Sequence, residues 1–170
     1  SPTNVTDMIE YPRALRKLGI PYIFDPGQQI PALSGPDMLE AITGSFMLVT
    51  NDYELEMVMK ATGQKREELK ERTVFLVTTL GEQGSLVAGG GAETRVPAAP
   101  VDAALDPTGA GDAFRAGLLK GLALGKDVPE AARLGSVCAA YAVERKGTQE
   151  HTFTFEEFRA RYQGIFGSLS

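Results

Sequence analysis

The sequence predicts an α/β protein with a mainly parallel sheet and flanking helices. Short apolar runs at Tyr22–Phe24, Phe46–Val49 and Val74–Thr78 alternate with longer amphipathic segments. Each run ends in a turn-forming cluster, namely Asp25-Pro26-Gly27, Thr50-Asn51-Asp52 and Thr79-Leu80-Gly81. Strands that alternate with helices in this way are joined by crossovers and build a parallel sheet, whose working loops gather at the carboxyl ends of the strands.

The first helix is expected over Val5–Leu18, capped by Asn4 or Thr6, locally disturbed by Pro12 and stopped by Gly19. Ser34 caps a second helix over Pro36–Ile42, with Pro36 in the first turn where proline is tolerated. Asp52–Thr62 places Leu55, Val58 and Met59 on one face, and Gly63 closes it; a short helix over Glu67–Arg72 follows. Ser85–Ala88 and Glu93–Val96 read as an antiparallel pair across Gly89-Gly90-Gly91. Beyond an extended, small-residue stretch at Pro97–Leu105 lie two helices, Ala110–Leu124 and Pro129–Glu144. Both are dense in Ala, Gly and Leu, which suggests close helix packing. Phe155–Phe166 is a final amphipathic helix.

The 170 residues suit one domain with a sizeable core. A net charge of −5 gives no electrostatic reason to expect nucleic acid or an anionic membrane as a partner. No apolar run approaches the roughly 20 residues of a membrane helix, and no secretory pattern opens the chain. Cys138 is the sole cysteine, so an intrachain disulfide is ruled out, and a reducing, cytoplasmic setting is the simplest reading. It is expected to be a small buried residue on its helix. His151, the sole histidine, is expected on the surface or in a loop, outside the chemistry.

The strongest chemical signal is Asp106-Pro107-Thr108-Gly109-Ala110-Gly111-Asp112-Ala113-Phe114, which opens a helix. Gly109 and Gly111 permit a tight turn and clear side chains from the path of an anion. The helix N-terminus then directs N–H groups and a partial positive charge at that anion, as phosphoryl transfer requires. Asp112, in the first turn beside this nest, is placed to accept a proton from an attacking hydroxyl, and the helix dipole favours a carboxylate there. Asn51 and Glu54 are hard oxygen donors three apart at a helix start, which suits either a divalent cation or an N-cap.

The string Asp106–Phe114, followed by Gly117, resembles the second signature of the ribokinase-like, PfkB-type kinases of sugars and nucleosides. That signature commonly reads Asp-Thr-Thr-Gly-Ala-Gly-Asp; Pro107 is the departure and stiffens the approach. The resemblance implies a three-layer α/β/α fold, catalysis by Asp112 as general base, and an anion hole at Gly109, Ala110 and Gly111. Thr50-Asn51-Asp52-Tyr53-Glu54 resembles the family's Asn-x-x-Glu motif, which implies that Asn51 and Glu54 organise Mg²⁺ and phosphate through water. Val77–Gly84 resembles the turn that lies along ATP, which assigns Thr79, Gly81 and Gly84 to the nucleotide. Ala142–Gln149 resembles the segment running from the adenine-flanking helix into a loop, with Gly147 at the nucleotide. In relatives this loop and the first aspartate bind a monovalent cation such as K⁺, matching Asp106, Thr108 and Gly147, although His151 stands where a smaller residue is commoner.

The resemblance spans nearly the whole chain but maps onto the C-terminal portion of the family. Ser1–Asn4 leads straight into a helix with no strand before it. Residues 1–170 are therefore expected to be the ATP-binding and catalytic part of a longer fold, incomplete on its N-terminal side, where the substrate-contacting half and lid belong. The expected activity is ATP-dependent phosphorylation of a sugar or nucleoside hydroxyl, with a leaning towards adenosine-kinase-type over phosphofructokinase-type sequences. A homodimer of the full-length protein is also implied. A non-catalytic nucleotide-binding module and an inactive piece of such a kinase are the alternative readings.

Overall fold

The structure is a computed structural model that describes residues 2–168. The chain divides into two compact units. In the first, α1 (Val5–Lys17) leads to β1 (Ile23–Phe24), α2 (Gly35–Ile42), β2 (Met47–Asn51), α3 (Asp52–Thr62), α4 (Arg66–Arg72) and β3 (Phe75–Thr79). The hairpin strands β4 (Ser85–Gly89) and β5 (Ala92–Val96) complete a five-stranded sheet in the order β1-β2-β3-β4-β5. β1 and β3 both run parallel to β2, with Met47 opposite Phe75 and Asn51 opposite Thr79. The two-residue link between β4 and β5 makes that pair antiparallel, so the sheet is mixed and mostly parallel.

Local sequence accounts for most of these elements. Asn4, Ser34 and Asn51 each accept an N–H of the first helical turn, at 2.9, 3.2 and 2.7 Å, closing the starts of α1, α2 and α3. Gly63 ends α3 in the left-handed conformation expected of a glycine stop. Pro12 is accommodated inside α1 as a buried residue. Leu48 and Leu76 join Met8, Phe24, Met38, Ile42 and Val58 in the core of this unit. Val49 and Val77 point from the opposite face and are also buried, the pattern of strands covered on both sides.

Each of β1, β2 and β3 begins one residue later than its apolar run, and β2 and β3 end two and one residues later, because the ladder continues to Asn51 and Thr79 after the apolar side chains stop. One element was not anticipated. Gly27–Ala32 forms a 3₁₀ helix with Gln29 N–H bonded to the Pro26 carbonyl at 3.0 Å, in place of a plain turn. Ile30 inside it and Leu33 just after it are both buried, three residues apart, which matches the 3₁₀ repeat.

The second unit contains α5 (Ala110–Ala123), α6 (Val128–Val143) and α7 (Phe155–Phe166). α5 and α6 pack at glycine contacts: a Cβ on Gly117 would lie 2.7 Å from the Gly135 Cα and the Leu134 carbonyl oxygen. Ala99, Leu134, Val137, Ala140, Phe158 and Tyr162 form a core between α6, α7 and the extended segment. Arg161 fastens α7 to α6 by a bidentate pair with Glu144 at 2.6 and 2.9 Å, and its guanidinium lies 4.6 Å from the centre of the Tyr141 ring. No helix among the described residues is long and apolar enough to cross a membrane.

Candidate active site

The loop leading into α5 is built around Asp106. Its Oδ1 accepts the Thr108 N–H at 2.9 Å and its Oδ2 accepts the Gly147 N–H at 3.0 Å, from 41 residues away. Contacts with the Thr108 side chain and the Gly147 and Thr108 N–H groups hold this carboxyl down to about 2. The Leu105 and Asp106 N–H groups both donate to the Val143 carbonyl, at 2.7 and 3.2 Å. Two segments distant in sequence are thereby held side by side, the start of α5 against the loop that leaves α6.

Gly109 is the N-cap of α5, with φ 84°, and an added Cβ would lie 3.0 Å from the Thr148 carbonyl oxygen. Both its conformation and its lack of a side chain are therefore required. The Ala110 N–H turns back to the Pro107 carbonyl at 3.2 Å, so its donor is spent within the loop. Asp112 stands exposed in the first turn of this 14-residue helix, where N–H groups face outward along the axis. The structure thus gathers Asp106, Thr108, Gly109, Ala110, Gly111, Asp112 and Gly147.

Sequence reasoning passed over Arg115. Its side chain folds back towards the start of the helix, and its Nη1 lies only 2.7 Å from the position of a Cβ on Gly111. Gly111 is therefore also the residue that makes room for a guanidinium on the first turn of α5. The available signal was the spacing, since a residue four positions on lies over the same helical face.

Gly81 and Gly84 lie elsewhere in the same unit. They bracket a 3₁₀ turn closed by the Gly84 N–H on the Gly81 carbonyl at 3.0 Å. A Cβ on Gly84 would lie 2.0 Å from the Val96 carbonyl oxygen, so that glycine is required by close backbone approach as well as by its φ of 86°. In the first unit, Asn51 and Thr79 are register partners at the carboxyl ends of β2 and β3. Asn51 and Glu54 form a reciprocal capping box: Asn51 Oδ1 accepts the Glu54 N–H at 2.7 Å and Glu54 Oε2 accepts the Asn51 N–H at 2.8 Å.

The donor sets can be tested against the cations expected of them. Asn51 and Glu54 offer hard oxygens, as Mg²⁺ prefers, and two such ligands suit an ion that keeps most of its water. No group of three or more His, Cys, Asp or Glu suited to a metal occurs among the described residues. The Asp106 carboxylate takes these two backbone N–H bonds and a bond from the Thr108 side chain, which leaves acceptor capacity that suits a monovalent cation as well. His151 lies in a loop, as expected, but is half-buried. It stacks 6.4 Å from Phe153 and lines a cavity of about 150 Å³ with Tyr141, Glu144, Arg145, Thr152 and Glu157. Cys138 is half-buried rather than fully so, and burial pushes its thiol up to about 11, which removes it from nucleophilic chemistry near neutral pH.

Residues 4–154 match the pfkB family of carbohydrate kinases, and the chain belongs to that family. It is 31% identical over 140 residues to a nucleoside kinase of Methanocaldococcus jannaschii, covering 82% of this chain and 46% of that protein. It is 32% identical over 120 residues to a ribokinase of Bacillus subtilis, covering 70% of this chain and 40% of the relative. The structure of a Burkholderia thailandensis nucleoside kinase in complex with inosine superimposes with a TM-score of 0.94 at 35% identity, covering 98% of this chain and 55% of that one. The same enzyme in complex with ADP-inosine gives 0.93, also at 35% identity, covering 98% of this chain and 52% of that one. The chain spans about half the length of these relatives.

Proposed function

We propose that this chain is the nucleotide-holding and phosphoryl-transferring part of a kinase that phosphorylates a hydroxyl of a nucleoside or sugar, with a nucleoside as the favoured acceptor. The observation that carries this reading is the placement of Asp112 in the first turn of α5 beside Gly109 and Gly111. The carboxylate takes the proton of the attacking hydroxyl as the new O–P bond forms. First-turn N–H groups other than that of Ala110, which is taken by the Pro107 carbonyl, face the charge that spreads over the transferred group, with the Arg115 guanidinium alongside Gly111. ATP is the phosphoryl donor in this reading; Asn51 and Glu54 would hold Mg²⁺ through their hard oxygens, and the ion would offset phosphate charge. In this reading the Gly81–Gly84 turn and Gly147 lie along the nucleotide, with Thr79 at the end of its strand. An ATP-rich, reducing cytoplasm is the setting that suits it.

The choice of a nucleoside acceptor is supported by likeness to one relative in particular. The Burkholderia enzyme, crystallised with inosine, shares 35% identity across nearly the whole of this chain. The test is Asp112→Asn in the full-length protein, assayed with ATP against a panel of nucleosides and sugars. Turnover should fall by at least about 100-fold with nucleotide affinity unchanged, as for removal of a general base. Retained turnover would refute the role of Asp112, and a preference for fructose phosphates would overturn the choice of acceptor.

A further inference from the structure

Asp106 carries more structure than a loop residue usually does. Its two oxygens serve two different segments, the local Thr108 N–H and the distant Gly147 N–H. The backbone on its N-terminal side is fixed by the paired bonds of Leu105 and Asp106 to the Val143 carbonyl. The backbone on its C-terminal side is fixed by the fit of Gly109 against Thr148. The loop leading into α5 therefore cannot shift without dragging the Gly147–Thr148 loop with it.

We propose that Asp106 is a positioning residue, whose carboxylate latches the Gly147–Thr148 loop to the start of α5 and so sets where the first-turn N–H groups and Asp112 stand. The inference rests on the kinase reading for its effect on rate, though the latch itself does not depend on it. A negative charge so near a phosphate-binding turn would repel the ligand if left exposed. Here it is matched by two backbone N–H donors. Five residues separate Gly109, packed on Thr148, from Arg115, folded over Gly111, so a small displacement of the latch moves the whole first turn. Positioning errors of this kind act on the rate of transfer more than on substrate binding.

Asp106→Asn strikes chiefly at the long-range bond. The amide oxygen of asparagine still accepts the Thr108 N–H, but its NH₂ then meets the Gly147 N–H, donor against donor. In the full-length protein, kcat should fall about 10- to 100-fold, the worth of one charge-assisted hydrogen bond, while the KM for ATP stays within about threefold. Hydrogen exchange at the Gly147 amide should quicken by a comparable factor. An unchanged kcat, or a kcat loss accompanied by an equal rise in KM and a fall in melting temperature, overturns the positioning role. Two outcomes are decided by exchange in the wild type: a D106N protein that does not fold, and a full-length protein that transfers no phosphate to any acceptor. Protection of Gly147 comparable with the α6 amides sustains the latch, and the absence of transfer then counts against the kinase reading alone. Exchange as fast as at the exposed turn residue Gly91 overturns the latch.

Discussion

Gly117→Ala should destabilise the protein although alanine is the better helix former. Gly117 faces Gly135 where α5 crosses α6, and a Cβ there would meet the Gly135 Cα and the Leu134 carbonyl oxygen at 2.7 Å each and the Gly135 nitrogen at 2.8 Å. These are backbone atoms and cannot rotate away. Restoring an ordinary carbon–carbon separation of about 3.8 Å opens the helix pair locally by about 1 Å. Gly135 is tight from the other side as well, with the Phe114 carbonyl oxygen 2.7 Å from its own Cβ position. Overpacking of this kind costs about 3 kcal/mol, and the intrinsic helix preference returns about 1, for a net loss of about 2 kcal/mol. In a chain of this size that lowers the melting temperature by roughly 4–8 °C. Gly164→Ala is the internal control, since Gly164 lies exposed inside α7 with nothing within 4 Å of its Cβ position. There the helix preference acts alone and should stabilise by up to about 1 kcal/mol. Thermal and urea denaturation of the two variants read the difference in sign. A Gly117→Ala protein as stable as the wild type would show that the helices do not meet at this pair.

Two further outcomes follow from the same geometry. Arg161→Met removes the bidentate bond to Glu144, the bond to the Pro100 carbonyl at 2.6 Å and the stacking on Tyr141, and should cost about 1–3 kcal/mol by urea denaturation. Because the hydrogen bond from Arg161 lowers the Glu144 carboxyl from its ordinary value of 4.5, the pair stabilises fully above about pH 4.5 and fades as the pH falls through the folded value. The variant should therefore lose stability less steeply below pH 4.5 than the wild type, and an unchanged acid limb would refute the coupling. Thr78→Val should stabilise by about 1 kcal/mol, because the Thr78 hydroxyl is buried without a hydrogen-bond partner. A loss of similar size would mean instead that an ordered water satisfies this hydroxyl.

The start of α5 is set by contacts made within the second unit. Its parts are mutually braced within residues 95–168, by Asp106 with Gly147, Gly109 with Thr148 and Arg161 with Glu144.

Much of this molecule was legible in the order of its residues. Caps at Asn4, Ser34 and Asn51, stops at Gly19 and Gly63, and the alternation of strand with helix are settled within a few neighbouring positions, because helix starts and turns are closed by bonds of three or four residues' reach. The segment Asp106–Asp112 was equally plain, since glycines and an aspartate at a helix start announce themselves locally. The 3₁₀ helix over Gly27–Ala32 escaped because its apolar residues are too few to set a period. What only the tertiary structure decided are the long reaches: the Asp106 carboxylate on a backbone N–H 41 positions away, and Gly117 against Gly135. The folding back of Arg115 over Gly111 is local in sequence but was left open by rotamer freedom. Periodicity records which face of an element is apolar. It carries no record of which donor, from which distant turn, arrives at a given carboxylate, since that depends on the path of the whole chain.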